Sequence, residues 1–120
     1  MPNEHDHLRQ VQHNRDLINT LDPLTTPFLD WVVTAAFYAA LHCIEAWWAT
    51  KGQHFQSHEQ RDDWIRRSPE LRGIVWRNYK DLEHFSRQAR YQCVGFNRDF
   101  VQNDILSSLN VIEQEIKRLP

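Results

Sequence analysis

Seven histidines in 120 residues supply most of the groups in this chain that could do chemistry near neutral pH. His42 stands apart because it lies in the most apolar stretch, one helical turn from Tyr38 and one from Glu45. An imidazole buried there needs a polar partner. Two arrangements provide one: a structural stripe of Tyr38, His42 and Glu45, or a convergence of His42, Glu45, His58 and Arg61 at one end of a helical bundle. In the second arrangement, a histidine that responds to a carboxylate would serve as a proton-transfer group. Sequence alone leaves both open.

The other histidines carry less. His5, His7 and His13 fall in a polar N-terminal stretch, and Glu4-His5-Asp6-His7 on a fraying helix start is poorly organised for a metal. His54 and His58 are four apart, but a helix cap at Ser57 breaks the helical spacing that would make them joint ligands. With no CxxC, no HExxH and no carboxylate-rich helix pair, the expectation is a chain without a metal centre or cofactor.

A second constellation lies on one helix. Arg77, Lys80, His84, Arg87 and Tyr91 project within an arc of roughly 80° at about 100° per residue. Arginine, histidine and tyrosine on one ridge would suit a phosphodiester, with the aromatic ring stacking on a splayed base. Within it, Arg77 is followed by the polar Asn78 and then by His84. Such a pair has a chemistry available: the arginine neutralises a pentacoordinate phosphate while the histidine takes the proton of a ribose 2′-hydroxyl, cleaving RNA without a metal. The competing reading is a solvated helix face with pairs such as Arg77 with Asp81 and Glu83 with Arg87.

Five helices would position these groups. Glu4 to Leu21 repeats Leu8, Val11, Ile18 and Leu21 on one face and closes at Asp22-Pro23. Thr26 and Pro27 read as cap and first residue of a helix running to Thr50, with Gly52 as a left-handed stop. Its small residues Ala35, Ala36, Ala39, Ala40 and Ala46 allow close approach, and Trp31, Phe37, Leu41, Ile44 and Trp48 add bulk, so it should be central. Ser57 with Gln60 forms a capping box for a short helix ending near Arg67. Ser68-Pro69-Glu70 should launch the next helix, through Cys93 to a stop at Gly95, with Leu71, Val75, Leu82, Phe85 and Ala89 inward. Ile105, Leu109, Ile112, Ile116 and Leu119 step by four and three, the seam of a last helix packed along a neighbour. The expected fold is all-α, a four-helix up-and-down bundle with one short extra helix, in a single domain spanning 1–120.

Composition narrows the setting. Fourteen Lys+Arg against sixteen Asp+Glu give a net charge of −2, so nothing global draws the chain to polyanions. The longest uncharged run, Trp31 to Ile44, is short of the roughly 20 apolar residues a membrane span needs. No apolar signal core precedes it, and two cysteines in helical patterns suit reduced thiols. A cytoplasmic location away from membranes is the expectation.

From about Phe28 to Leu119 the chain resembles HEPN-domain proteins, named for higher eukaryotes and prokaryotes nucleotide-binding. The residues that carry this are Phe37-Tyr38-Ala39-Ala40-Leu41-His42-Cys43-Ile44-Glu45-Ala46, the Gly52 turn, Ser57-His58-Glu59-Gln60-Arg61, and Tyr79 to Tyr91 with Ser86-Arg87-Gln88-Ala89-Arg90-Tyr91. The resemblance implies a helical bundle that forms homodimers. In active members, which are metal-independent ribonucleases, arginine, polar and histidine motifs meet across the dimer. It also implies an RNA-linked toxin or defence system, often with a small nucleotidyltransferase as partner. Carried over by motif, Arg77 would be the catalytic, phosphate-contacting arginine, Asn78 its polar follower and His84 the catalytic histidine; Lys80, Arg87 and Tyr91, from the ridge itself, would join Asn78 in contacting RNA. One departure points elsewhere: the family motif commonly sits just ahead of a tyrosine, and Arg87-Gln88-Ala89-Arg90-Tyr91 there lacks a histidine. That looks like a non-catalytic form, an RNA-, nucleotide- or protein-binding module.

Overall fold

The computed structural model describes residues 2–120, and the described residues contain helices and no strand. The elements are α1 (Glu4–Leu21), α2 (Leu29–Thr50), α3 (His58–Arg67), α4 (Ile74–Tyr91) and α5, a continuous rod made of Arg98–Phe100, a π-helical stretch Val101–Ile105 and Leu106–Arg118. The all-helical bundle expected from the periodicity is present.

α2 is the hub, packing on α1, α4 and α5, while α4 also packs on α5. Its alanines Ala35, Ala36, Ala39, Ala40 and Ala46 are buried, which lets those helices close on its backbone. Phe37, Leu41 and Ile44 fill the spaces between them. By length and composition alone this helix could cross a membrane, yet 78% of its most apolar window is buried inside the protein. The seam on α5 is as read: Ile105, Leu109, Ile112 and Ile116 are buried, with Leu119 packed beside them. Arg15 of α1 reaches across to α5, bonding Asn110 at 2.7 Å and Glu113 at 3.0 Å.

Local chemistry sets most helix ends. The Asn3 side chain accepts the Asp6 N–H at 2.9 Å and Asp6 returns a bond to the Asn3 N–H, closing a capping box on α1. Ser57 caps α3 by accepting the Gln60 N–H at 3.1 Å, but the Gln60 side chain reaches one residue further back than a capping box requires, to the Gln56 N–H. Gly52, at φ 76°, ends the turn after α2.

Four expectations are corrected. α2 starts at Leu29, because Thr26 spends its hydroxyl on the Phe28 N–H at 3.0 Å and Phe28 is not helical. Ser68 opens a turn, receiving the Leu71 and Arg72 N–H groups on its carbonyl, so α4 begins only at Ile74. That helix ends at Tyr91, and Cys93 takes the left-handed conformation at φ 54° that Gly95 was expected to supply. Trp31 is 56% exposed and lies outside the core.

Candidate functional site

Where α1, α2, α3 and α4 meet, a chain of polar groups runs from the buried His7, Arg61 and Tyr79 and the half-buried His42 and Glu45 out to the exposed His58. Arg61, 7% exposed, donates Nε to Glu45 Oε1 at 2.8 Å. Its Nη1 approaches His58 Nδ1 at 2.8 Å and the Tyr79 hydroxyl at 3.3 Å. A guanidinium only donates, so His58 must present a lone pair at Nδ1 and keep its proton on Nε2. The second oxygen of Glu45 faces His7 Nδ1 at 3.5 Å, and His7 Nδ1 meets His42 Nδ1 at 3.0 Å. The convergent reading of His42, Glu45, His58 and Arg61 therefore describes their placement, although the links run through Glu45 and Arg61 and not as direct contacts among all four.

His7 and Tyr79 also belong to this cluster. His7, which the sequence groups with the polar N-terminal histidines, is 6% exposed, since it lies on the face of α1 that meets α2, the face that also carries Ile18 further along the helix. Its seven-residue helical offset from Asn14 and eleven from Ile18 keep it near that face, a signal obscured by the absence of apolar neighbours in the first turn. Tyr79 is fully buried and aromatic with Phe37 at 5.7 Å between ring centres, although its position on α4 continues the series Val75, Tyr79, Leu82.

Burial dominates the electrostatics here. Desolvation pulls the His7 and His42 pKa values below the usual histidine value, against the opposing pull of Glu45. The His7–Glu45 approach is accordingly a contact of a neutral imidazole with a carboxylate, and the ion pair of the cluster is Arg61–Glu45. Burial likewise raises the Tyr79 hydroxyl, with Arg61 opposing it, so Tyr79 stays protonated. Two neutral imidazoles that share Nδ1···Nδ1 contact hold one proton between them, one ring donating and the other accepting.

The basic ridge of α4 is on the surface. Arg77, His84, Arg87 and Tyr91 are exposed; Asn78 and Lys80 are half-buried. Lys80 is occupied by Asp62 at 3.0 Å and by Glu83, Asn78 bonds the Ile74 carbonyl at 2.9 Å, and His84 Nε2 meets the Gln88 amide at 3.2 Å. Along the helix Arg77 and His84 are separated by about 10 Å of rise. The pairs drawn on this face are Lys80–Glu83 and Glu83–Arg87, the latter at 3.8 Å.

At the C-terminal end of that ridge the surface becomes concave. One cleft is lined by Phe37, His58, Glu83, Arg87, Arg90 and Tyr91, joining the ridge to the His58–Arg61 side of the buried cluster. Arg90 organises it. Its Nη1 donates to the Tyr38 hydroxyl at 2.9 Å, and its Nε and Nη2 bond the Ser86 carbonyl and hydroxyl at 3.2 Å each. The guanidinium sits over Phe37, Tyr38 and Tyr91 at 5.7, 5.5 and 5.1 Å. Tyr91 is 74% exposed, leaving ring surface open beside two arginines.

No protein-family model, curated protein or solved structure matches the chain.

Proposed function

We propose that the chain is a HEPN-like helical module of an RNA-linked, defence-type system, and that it binds single-stranded RNA at the cleft of His58, Arg87, Arg90 and Tyr91. The observation that carries this reading is the pairing, in one concavity, of two arginines with an exposed tyrosine ring. Arginine offers planar donors for phosphate, and an open tyrosine face stacks on an unpaired base. Glu83 lies in the same cleft but is engaged by Lys80 and Arg87, which offsets its repulsion of an anion. Two arginines at the cleft can neutralise only a few phosphates, so affinity should fall only gently with salt. In keeping with the resemblance, two copies would pair, and a nucleotidyltransferase-like protein is a candidate partner.

Binding without cleavage is the favoured form. His58, the histidine of the cleft, has its Nδ1 lone pair committed to Arg61, and Arg77 and His84 stand on the solvated face of α4. Fluorescence anisotropy with a labelled single-stranded oligoribonucleotide tests this. Arg87→Ala and Tyr91→Ala should each weaken binding about tenfold, within the 1–3 kcal/mol range of a stacked base, and the RNA should remain intact in EDTA. Cleavage in EDTA to ends bearing 2′,3′-cyclic phosphate, abolished by Arg77→Ala or His84→Ala, would replace this reading with a metal-independent ribonuclease. Binding indifferent to Arg87→Ala and Tyr91→Ala would remove the RNA site.

A further inference from the structure

The structure assigns a site for a divalent transition-metal ion of the Zn²⁺ class to His7 on α1 and His42 and Glu45 on α2. One donor atom from each of the three lies within 4.8 Å of both others. His7 Nδ1 is 3.0 Å from His42 Nδ1 and 3.5 Å from Glu45 Oε2. Ligand bonds of about 2.0–2.1 Å at tetrahedral angles place donor atoms roughly 3.3 Å apart, so the two measured separations bracket what such an ion requires. The third side of the triangle, from His42 to Glu45, is within 4.8 Å.

The chemistry of the donors agrees with the spacing. Two imidazole nitrogens and one carboxylate form a mixed N/O set that suits Zn²⁺ or Co²⁺ better than the all-oxygen cations. An ion between the rings would accept both Nδ1 lone pairs, the shared proton moving to Nε2 of the ring that carried it. Glu45 is also held as ligand carboxylates usually are, its other oxygen bonded to Arg61 Nε at 2.8 Å, which aims Oε2 at the histidines. The adjoining cavity, lined by Pro2, His7, Glu45, Gln53, His54 and Phe55, leaves room for a fourth ligand such as water. His54 Nδ1 on that wall is buried without a hydrogen-bond partner. A buried nitrogen with no partner is what a polar occupant of the cavity would satisfy. Because His7 and the His42–Glu45 pair belong to different helices, a bound ion would tie α1 to α2. The assignment is independent of the RNA cleft, which contains none of the three ligands.

The test uses the full chain, stripped with EDTA, dialysed and titrated with Co²⁺ while visible absorption is recorded, then with Zn²⁺ as competitor. The expected result is one Co²⁺ per chain with the intense visible bands of low coordination number, displaced by one equivalent of Zn²⁺. His42→Ala and Glu45→Gln should weaken uptake at least about tenfold, whereas His5→Ala and His13→Ala should leave it unchanged. Far-UV circular dichroism checks each variant; if His42→Ala does not fold, His7→Ala near the start of α1 gives the same reading. Absence of stoichiometric uptake overturns the assignment. So does uptake that survives His7→Ala and Glu45→Gln, or that disappears with His5→Ala or His13→Ala, since either locates the ion on surface histidines.

Discussion

Arg61 and Glu45, sixteen positions apart, form a buried ion pair at 2.8 Å that fastens α3 to the central helix. Their side chains are 8% and 13% exposed, so either charge is left with little solvation when the other is removed. Single substitution should therefore cost more than the pair itself is worth. Arg61→Ala is expected to lower unfolding free energy by about 3–5 kcal/mol, and the double replacement Arg61→Met with Glu45→Leu by clearly less. Urea denaturation of the three proteins checks this; equal losses in single and double variants would mean the carboxylate is solvated after all.

Acid should weaken the metal-free protein through His7 and His42. Burial lowers both pKa values in the folded state, so the unfolded chain binds protons first as pH falls below the unperturbed value of 6.5. Stability is then fully present above about pH 6.5 and is lost as pH drops through the lowered native values. In EDTA the urea midpoint should fall between pH 7.5 and 5. His42→Gln, which cannot titrate, should flatten that slope by up to one proton. A midpoint that rises toward pH 5 in the wild-type chain would contradict the neutral, buried placement.

The two thiols should differ sharply in reactivity. Cys43 is buried, and desolvation, followed by the charge of Glu113, pushes its thiol up to about 12, whereas Cys93 is exposed just beyond α4. Thiolate is the reacting form. At pH 8 an aromatic disulfide reagent should label one thiol per native chain quickly and the second only on denaturation. Cys93→Ser should abolish the fast phase; rapid labelling of that variant would show that α2 opens to solvent.

Gly52 is the position where a side chain meets backbone strain alone. At φ 76° it occupies the left-handed region, and a Cβ built there touches nothing within 4 Å. Gly52→Ala should cost about 1 kcal/mol and Gly52→Asn less, because asparagine tolerates that conformation. Thermal denaturation of the two variants orders them, and equal melting temperatures would indicate that the turn relaxes.

What the sequence by itself determined were the features with local causes. The extent of α1, the Ser57 cap, the Gly52 stop and the inward seam of α5 follow from capping bonds, backbone φ and a 3.6-residue period, all of which act within a few positions. Local signals misled where a side chain had two uses: the Thr26 hydroxyl bonds a turn and not a helix start, and Ser68-Pro69 opens a turn before α4 begins. Tertiary structure alone decided which polar residues meet. His7 and His42 are 35 positions apart, Arg90 and Tyr38 52 apart, and nothing in either local stretch reports the other. The physical reason is desolvation: packing α1, α3 and α4 onto α2 excludes water, and a buried donor or acceptor is then stabilised by a partner that only the fold can bring across the bundle. The same packing left the Arg77–His84 face in solvent and drew His7 and Tyr79 into the polar cluster and Arg90 into the cleft beside it.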